Sequence, residues 1–236
     1  MQRQQPDFSV VIPVYNEELS IGSLLSQIEA DQFLKRQQII VVDDGSNDKS
    51  VEVIKKFKFV VLKQHRVNRG YGAALRTGMC ESSSKYVVWA DGDGQHRIED
   101  ITNVCRSLKN ENLDFCIGRR ASGSHVEKTR MLGKVILSAA FKLFCSSAIQ
   151  DFNSGLRGFS ANTARLITPN IRDGFGASTT SSIIVSEIPL FGKEIDILVL
   201  PRIGKSSVKQ FRDGLRTLDL IVHMAVMFRP KLIFGV

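Results

Sequence analysis

"YVVWADGDGQHRIED", residues Tyr86 to Asp100, is an apolar run that stops at two aspartates separated by a single glycine. A short run rich in valine and bounded by glycine and aspartate reads as a buried strand, which places Asp91 and Asp93 at its end. Two carboxylates this close repel unless a cation sits between them, or between them and a phosphate. Hard oxygen donors suit Mg2+ or Mn2+, which keep positions open for phosphate oxygens. Gly92 and Gly94 would let a bulky diphosphate approach the backbone. Gln95 offers a further neutral oxygen, and His96 stands nearby. The competing reading is a solvated turn, since Asp-Gly pairs are common turn formers.

The flanking sequence repeats the pattern. "FSVVIPVYN" (8–16), "QQIIVVDDGS" (37–46), "FKFVVLKQH" (57–65) and "LDFCIG" (113–118) read as further strands. Segments 17–30, 47–57, 70–82 and 97–111 have helical spacing, with Ser46 and Asn68 as expected caps. This alternation predicts an α/β fold, a mostly parallel twisted sheet with helices on both faces. Ligands of such sheets bind at the carboxyl edge, where Asn16, Asp43, Asp44, Asp91 and Asp93 fall. Asp43 and Asp44 are placed to accept hydrogen bonds from a base or ribose, although one of them could serve as a cap. Gly70 and Gly72 open a helix whose N-terminus could take an anion, or could simply pack closely. Three rival motifs fail. An EF-hand loop would need glycine and glutamate where His96 and Thr102 stand, a P-loop GxxxxGK[ST] is absent, and "GYGAAL" lacks the third glycine of a dinucleotide fingerprint.

The 236 residues show no internal repeat or linker, so a single domain spanning 1–236 is expected. A net charge of +8 favours a polyanionic partner: nucleic acid, anionic lipid or a phosphorylated substrate. Nucleic acid is disfavoured, because stacking motifs and a recognition-helix pattern are missing. Cys80, Cys105, Cys116 and Cys145 form no CxxC pair, which suits reduced thiols in a cytosolic protein. The N-terminus does not read as a signal peptide, and no run reaches the roughly 18 apolar residues of a membrane span. Two segments, 129–147 and 211–230, read as basic amphipathic helices: Arg130, Lys134, Ser138 and Lys142 recur on the first, and Arg212, Arg216, Asp219 and His223 on the second. Their wide apolar faces favour core packing individually. Together they predict peripheral contact with the cytoplasmic face of a membrane.

"VVIPVYNEE", "IIVVDDGSNDKS", "NRGYGAALRTG" and "ADGDGQ", in this order, resemble the donor half of family-2 glycosyltransferases with the GT-A fold. "DFNSGLRGF" (151–159) and "PRIGKSSVK" (201–209) are similar to the polyprenyl-phosphate branch, which includes dolichyl-phosphate mannosyltransferases and bacterial glucosyl relatives. The resemblance implies a nucleotide-sugar and metal half to about residue 120, followed by an acceptor half. Pro13, Tyr15, Glu17, Asp43 and Asp44 would line the nucleotide pocket. Asp91, Asp93 and Gln95 would hold Mg2+ or Mn2+ on the donor diphosphate. Arg120 and Arg130 would meet phosphate, since the arginine fork grips phosphate oxygens in pairs. Asp151 joins them as a catalytic candidate, with Asn153, Ser154 and Arg157 beneath the sugar and acceptor. Arg202, Lys205, Ser206 and Lys209 would form a cationic loop over the phosphates. The implied reaction moves a hexose, with inversion, from a GDP-mannose or UDP-glucose type donor to polyprenyl phosphate.

One departure stands out. Where the family carries acids, in a segment like GFEFDTEL, this chain reads "GFGASTTSSI" (174–183), with Thr180 or a neighbour in place of the acid. That weakens any transfer of sugar specificity and leaves room for an unusual donor or for a catalytically idle nucleotide-sugar-binding module; a different lipid-linked or saccharide acceptor is the alternative for the reaction itself. A haloacid-dehalogenase-type phosphatase would want threonine or valine after the second aspartate, where Gly94 stands.

Overall fold

The computed structural model describes residues 6–121, 123–124, 149–204 and 210–228, together with positions 137, 139 and 141. Seven strands form one sheet: β1 (Phe8–Val14), β2 (Gln38–Asp43), β3 (Val60–Gln64), β4 (Tyr86–Trp89), β5 (Phe115–Arg120), β6 (Arg157–Ser160) and β7 (Gly192–Ile197). The helices are α1 (Ile21–Ala30), α2 (Ser50–Ile54), α3 (Tyr71–Cys80), α4 (Ile98–Asn110), α5 (Ala161–Ile167), α6 (Ala177–Glu187) and α7 (Gln210–Phe228).

The spatial order is β3-β2-β1-β4-β6-β5-β7. All pairs are parallel except the two that β6 makes with β4 and β5. The chain builds outward from β1 to β3, then returns to place β4 on the other side of β1. That reversal is a topological switch point, and a crevice opens there beyond the carboxyl ends of the strands.

Every residue of β1 is buried, as expected of a parallel strand covered on both faces. Val10, Ile12 and Val14 join Ile39 and Val41 in one core, whereas Val11 joins Ile40 and Val42 in the other. The strand period of two divides the apolar residues between the two faces. Pro13 shares the parity of Val11, whose carbonyl accepts Ala90 N–H from the β4 side. Its missing donor therefore faces the opening past the last β1–β4 pair, Val11 with Trp89, and no ladder bond is lost.

The expected caps are not used as caps. Helices α2 and α3 begin after Lys49 and Gly70. The Ser46 hydroxyl instead accepts Asn16 N–H across the strand ends. The C-terminal amphipathic segment does form a helix, α7, which buries Leu220, Ile221, Met224 and Ala225 and exposes Leu215, Val222, Val226 and Met227. The other amphipathic segment, 129–147, lies almost wholly outside the described residues. Among the described residues no helix is long and apolar enough to cross a membrane.

Candidate active site

At the switch point β1 and β4 deliver three carboxylates into one corner. Glu17 and Asp93 are buried, at 9% and 5% exposure, and Asp91 is partly buried beside them. A guanidinium holds two of the three together. Arg202 Nη1 donates to Asp93 Oδ2 at 2.7 Å, and Nη2 donates to Glu17 Oε1. Burial pushes the Glu17 carboxyl up to about 7, against the opposing pull of Arg202. Burial also raises Asp93, reinforced by the charge of Asp91. For Asp91 burial pushes upward as well, but His96, Tyr71 and Arg202 outweigh it and hold the group below the usual range.

Asp91 is fixed from three sides. The Tyr71 hydroxyl donates to Oδ1 at 2.8 Å. His96 Nε2 stands 3.4 Å from Oδ2. Gly155 backs onto the same carboxylate, and a Cβ there would fall 2.0 Å from Oδ2. Only glycine admits the close approach, so the acceptor-side motif "NSG" shapes the acid corner directly. Both His96 ring nitrogens are buried without a hydrogen-bond partner.

A divalent cation fits this corner. The donors are hard oxygens, a guanidinium already occupies the place of a counter-cation, and an orphaned imidazole faces the same acids. Asp91 and Asp93 are the residues that would hold it. Gln95, expected as a third ligand, is held through its nitrogen: Nε2 donates to Leu200 O at 3.0 Å, and the oxygen that would ligate is not used in that bond.

On the nucleotide side, Asp43 is 2% exposed; Oδ2 accepts Ser46 N–H at 3.2 Å and Oδ1 is buried without a partner. Pro13 and Tyr15 lie on the same rim. The Asp44 carboxylate is engaged within the chain, by Arg69 N–H (2.9 Å), Gly70 N–H (2.6 Å) and His65 Nδ1 (2.6 Å). The start of α3 is closed as well. Gly72 N–H donates to Gly174 O at 2.7 Å, and a Cβ on Gly70 would lie 2.4 Å from Gly174 Cα. Of the two readings open for these glycines, close packing is the one these contacts match.

On the acceptor side, Asp151 accepts from Arg120 Nε and Nη2, both at 2.7 Å. Burial raises the Asp151 carboxyl, but the paired guanidinium outweighs it and keeps the group ionised below its ordinary range. Asp151 is therefore a clamp that aims Arg120, and a poor proton acceptor. Asn153 is exposed on this rim and Ser154 is buried beneath it.

Arg157, expected beneath the sugar and acceptor, is fully buried. Its guanidinium donates to Ser154 O (3.0 Å), Ser178 O (2.8 Å), Ser181 Oγ (2.8 Å) and Ser182 Oγ (3.0 Å). The unusual "STTSS" run is thus the polar lining of a buried cation, and burial lowers that guanidinium to about 10. Arg130, Lys205, Ser206 and Lys209 lie outside the described residues. Tyr71, Ser20 and Gly155 were not singled out from sequence. The Ser20 hydroxyl donates to Gly92 O at 2.8 Å and ties α1 to the acid loop.

A mostly parallel sheet with its acids gathered beyond the strand ends is the α/β arrangement that binds ligands at a topological switch point. Residues 9–184 match the profile of glycosyl transferase family 2. An uncharacterised protein of Methanocaldococcus jannaschii is 34% identical over 196 residues, covering 80% of this chain and 79% of that protein. The UDP-N-acetylglucosamine–dolichyl-phosphate N-acetylglucosaminyltransferase of Methanococcus voltae is 25% identical, over 75% of this chain and 79% of its own. Among solved structures, glucosyl-3-phosphoglycerate synthase of Mycobacterium tuberculosis with Mn2+, UDP and phosphoglyceric acid superposes with a TM-score of 0.72. It shares 19% identity and covers 93% of this chain and 78% of that one, a likeness of fold. The chain belongs to glycosyl transferase family 2 and is a glycosyltransferase with the GT-A fold.

Proposed function

We propose that this glycosyltransferase moves a hexose from a UDP-sugar to polyprenyl phosphate, with inversion, using Mg2+ or Mn2+. The observation that carries the reading is the cation-holding acid corner at the switch point, where Arg202 bridges Glu17 and Asp93 and His96 faces the neighbouring Asp91.

A uridine donor is favoured over guanosine by the Methanococcus relative named above, a UDP-N-acetylglucosamine transferase. The Methanococcus relative named above and the dolichyl-phosphate beta-glucosyltransferase of Dictyostelium discoideum, 28% identical over 69% of this chain, support a polyprenyl-phosphate acceptor.

When bound, the metal would neutralise charge on the departing diphosphate. The chain itself supplies position and field. Asp151 holds Arg120 through Nε and Nη2, which leaves Nη1 to orient an acceptor phosphate. That phosphate is already an anion at neutral pH, so no proton need be removed, in keeping with the clamped, ionised Asp151. Tyr71 and Gly155 fix the Asp91 carboxylate, which keeps the donor end preorganised. The exposed Leu215, Val222, Val226 and Met227 of α7 support contact with a membrane surface holding the lipid tail.

The test is transfer of radiolabelled glucose or N-acetylglucosamine from UDP-sugar into an organic-extractable polyprenyl product. Product that depends on Mn2+ and disappears in Asp93→Asn is expected. Free sugar and UDP without lipid product, or equal transfer in Asp93→Asn, would overturn the reading.

A further inference from the structure

The segment 198–203 is fastened to the acid loop. Leu200 N–H donates to Gln95 O at 2.9 Å, Gln95 Nε2 returns a bond to Leu200 O at 3.0 Å, and Ile203 N–H donates to Asp93 O at 3.3 Å. The Ile203 side chain lies against Gly94, whose added Cβ would be 3.1 Å from Cδ1. This strap carries Arg202 into the corner, where it binds Asp93 and Glu17.

We infer that Arg202 is a latch that competes with the divalent metal for Asp93, and that the metal binds by displacing the strap. The inference rests on the metal-dependent reading above. Asp93 Oδ2 accepts from Arg202 in this state, and a carboxylate oxygen filled by a guanidinium is not free to ligate a cation. The same strap also ties up the Gln95 amide. Withdrawal of one segment thus vacates Asp93 and releases Gln95 together, so metal and latch exclude each other.

The seat of the latch is built to be left. Arg202 Nε is buried without a partner, and a lone buried donor is a standing penalty on the closed state. Leu200 and Ile203 are held there while still 37% and 42% exposed. Gly204 follows immediately at φ +90 with nothing near a would-be Cβ, so its glycine answers a backbone need and marks a pivot. A freed Arg202 remains beside the corner, where a diphosphate would offer new oxygens for its fork.

The experiment is Mn2+ titration of the nucleotide-free protein, following the signal of free Mn2+ by electron paramagnetic resonance. Arg202→Ala should bind Mn2+ about tenfold tighter than the parent, a difference of about 1.4 kcal/mol. Ile203→Ser, which keeps the guanidinium but loosens its seat, should shift affinity in the same direction. In the parent protein, saturating Mn2+ should also speed hydrogen exchange at the Leu200 and Ile203 amides. Equal or weaker Mn2+ binding by Arg202→Ala, with an unchanged melting temperature, would overturn the latch alone. Exchange at the two amides that is indifferent to Mn2+ would do the same. Failure of both parent and variants to bind Mn2+ would overturn the metal reading and the latch with it.

Discussion

At Glu17 burial and a guanidinium pull in opposite directions, and burial prevails, leaving the carboxyl near 7. An acid whose folded value lies above its unfolded one binds more protons when folded. Stability therefore falls as pH rises from about 4.5 to 7. Thermal melts of metal-free Glu17→Gln should be flatter across that window than those of the parent. A parallel decline in both proteins would show that Glu17 stays ionised. Gly155 makes a second residue-scale prediction. A methyl there would meet Asp91 Oδ2, so Gly155→Ala should displace the carboxylate and lower Mn2+ affinity, at a stability cost of about 1–3 kcal/mol. Calorimetric titration alongside a urea melt separates the two effects. The place of the acid pair at a strand end was legible from sequence, because an apolar run broken by Asp-Gly-Asp ends there. Asp44 was not, since its neighbour Asp43 has the same local sequence and only the 65–70 loop, folding back, decides which carboxylate is consumed.

Among the elements, α6 shows how a polar run can be structural. Its serines and the carbonyls of 152–154 surround Arg157, while the Trp89 ring lies 6.0 Å from the guanidinium carbon. Arg157→Met would strand several buried polar groups. It should cost about 3–5 kcal/mol in a denaturant melt. Ser182→Ala, which loses one hydroxyl that also bonds Phe152 O, should cost about 1–3 kcal/mol. From sequence Arg157 took an acceptor role through the resemblance of its motif, which says nothing about how deeply the side chain is buried. Its partners here are hydroxyls and carbonyls, which no spacing rule points to. Strand β6 was similarly hidden. "RGFS" is only four residues, and its antiparallel insertion between β4 and β5 depends on long-range pairing. The parallel strands β1 to β4, by contrast, announced themselves through continuous apolar runs bounded by glycine and acid.

Over the whole molecule, positive charge and the apolar exposure of α7 set the surface behaviour. With a net charge of +8 and Leu215, Val222, Val226 and Met227 exposed on α7, flotation with vesicles should require anionic lipid and weaken at high salt. Val222→Glu should reduce it without altering UDP binding, and flotation indifferent to both lipid charge and Val222 would remove α7 from the contact. The central claim concerns the donor corner, and a thermal-shift titration with UDP reaches it most directly. At a hundredfold excess over its dissociation constant, a ligand stabilises the folded state by about 2.7 kcal/mol. For a chain of this size that corresponds to a rise of roughly 5–10 °C. UDP should raise the melting temperature of the parent only when Mn2+ is present, and should leave Asp93→Asn unmoved under both conditions. An equal rise without Mn2+, or in Asp93→Asn, would contradict a cation held between these acids and the diphosphate.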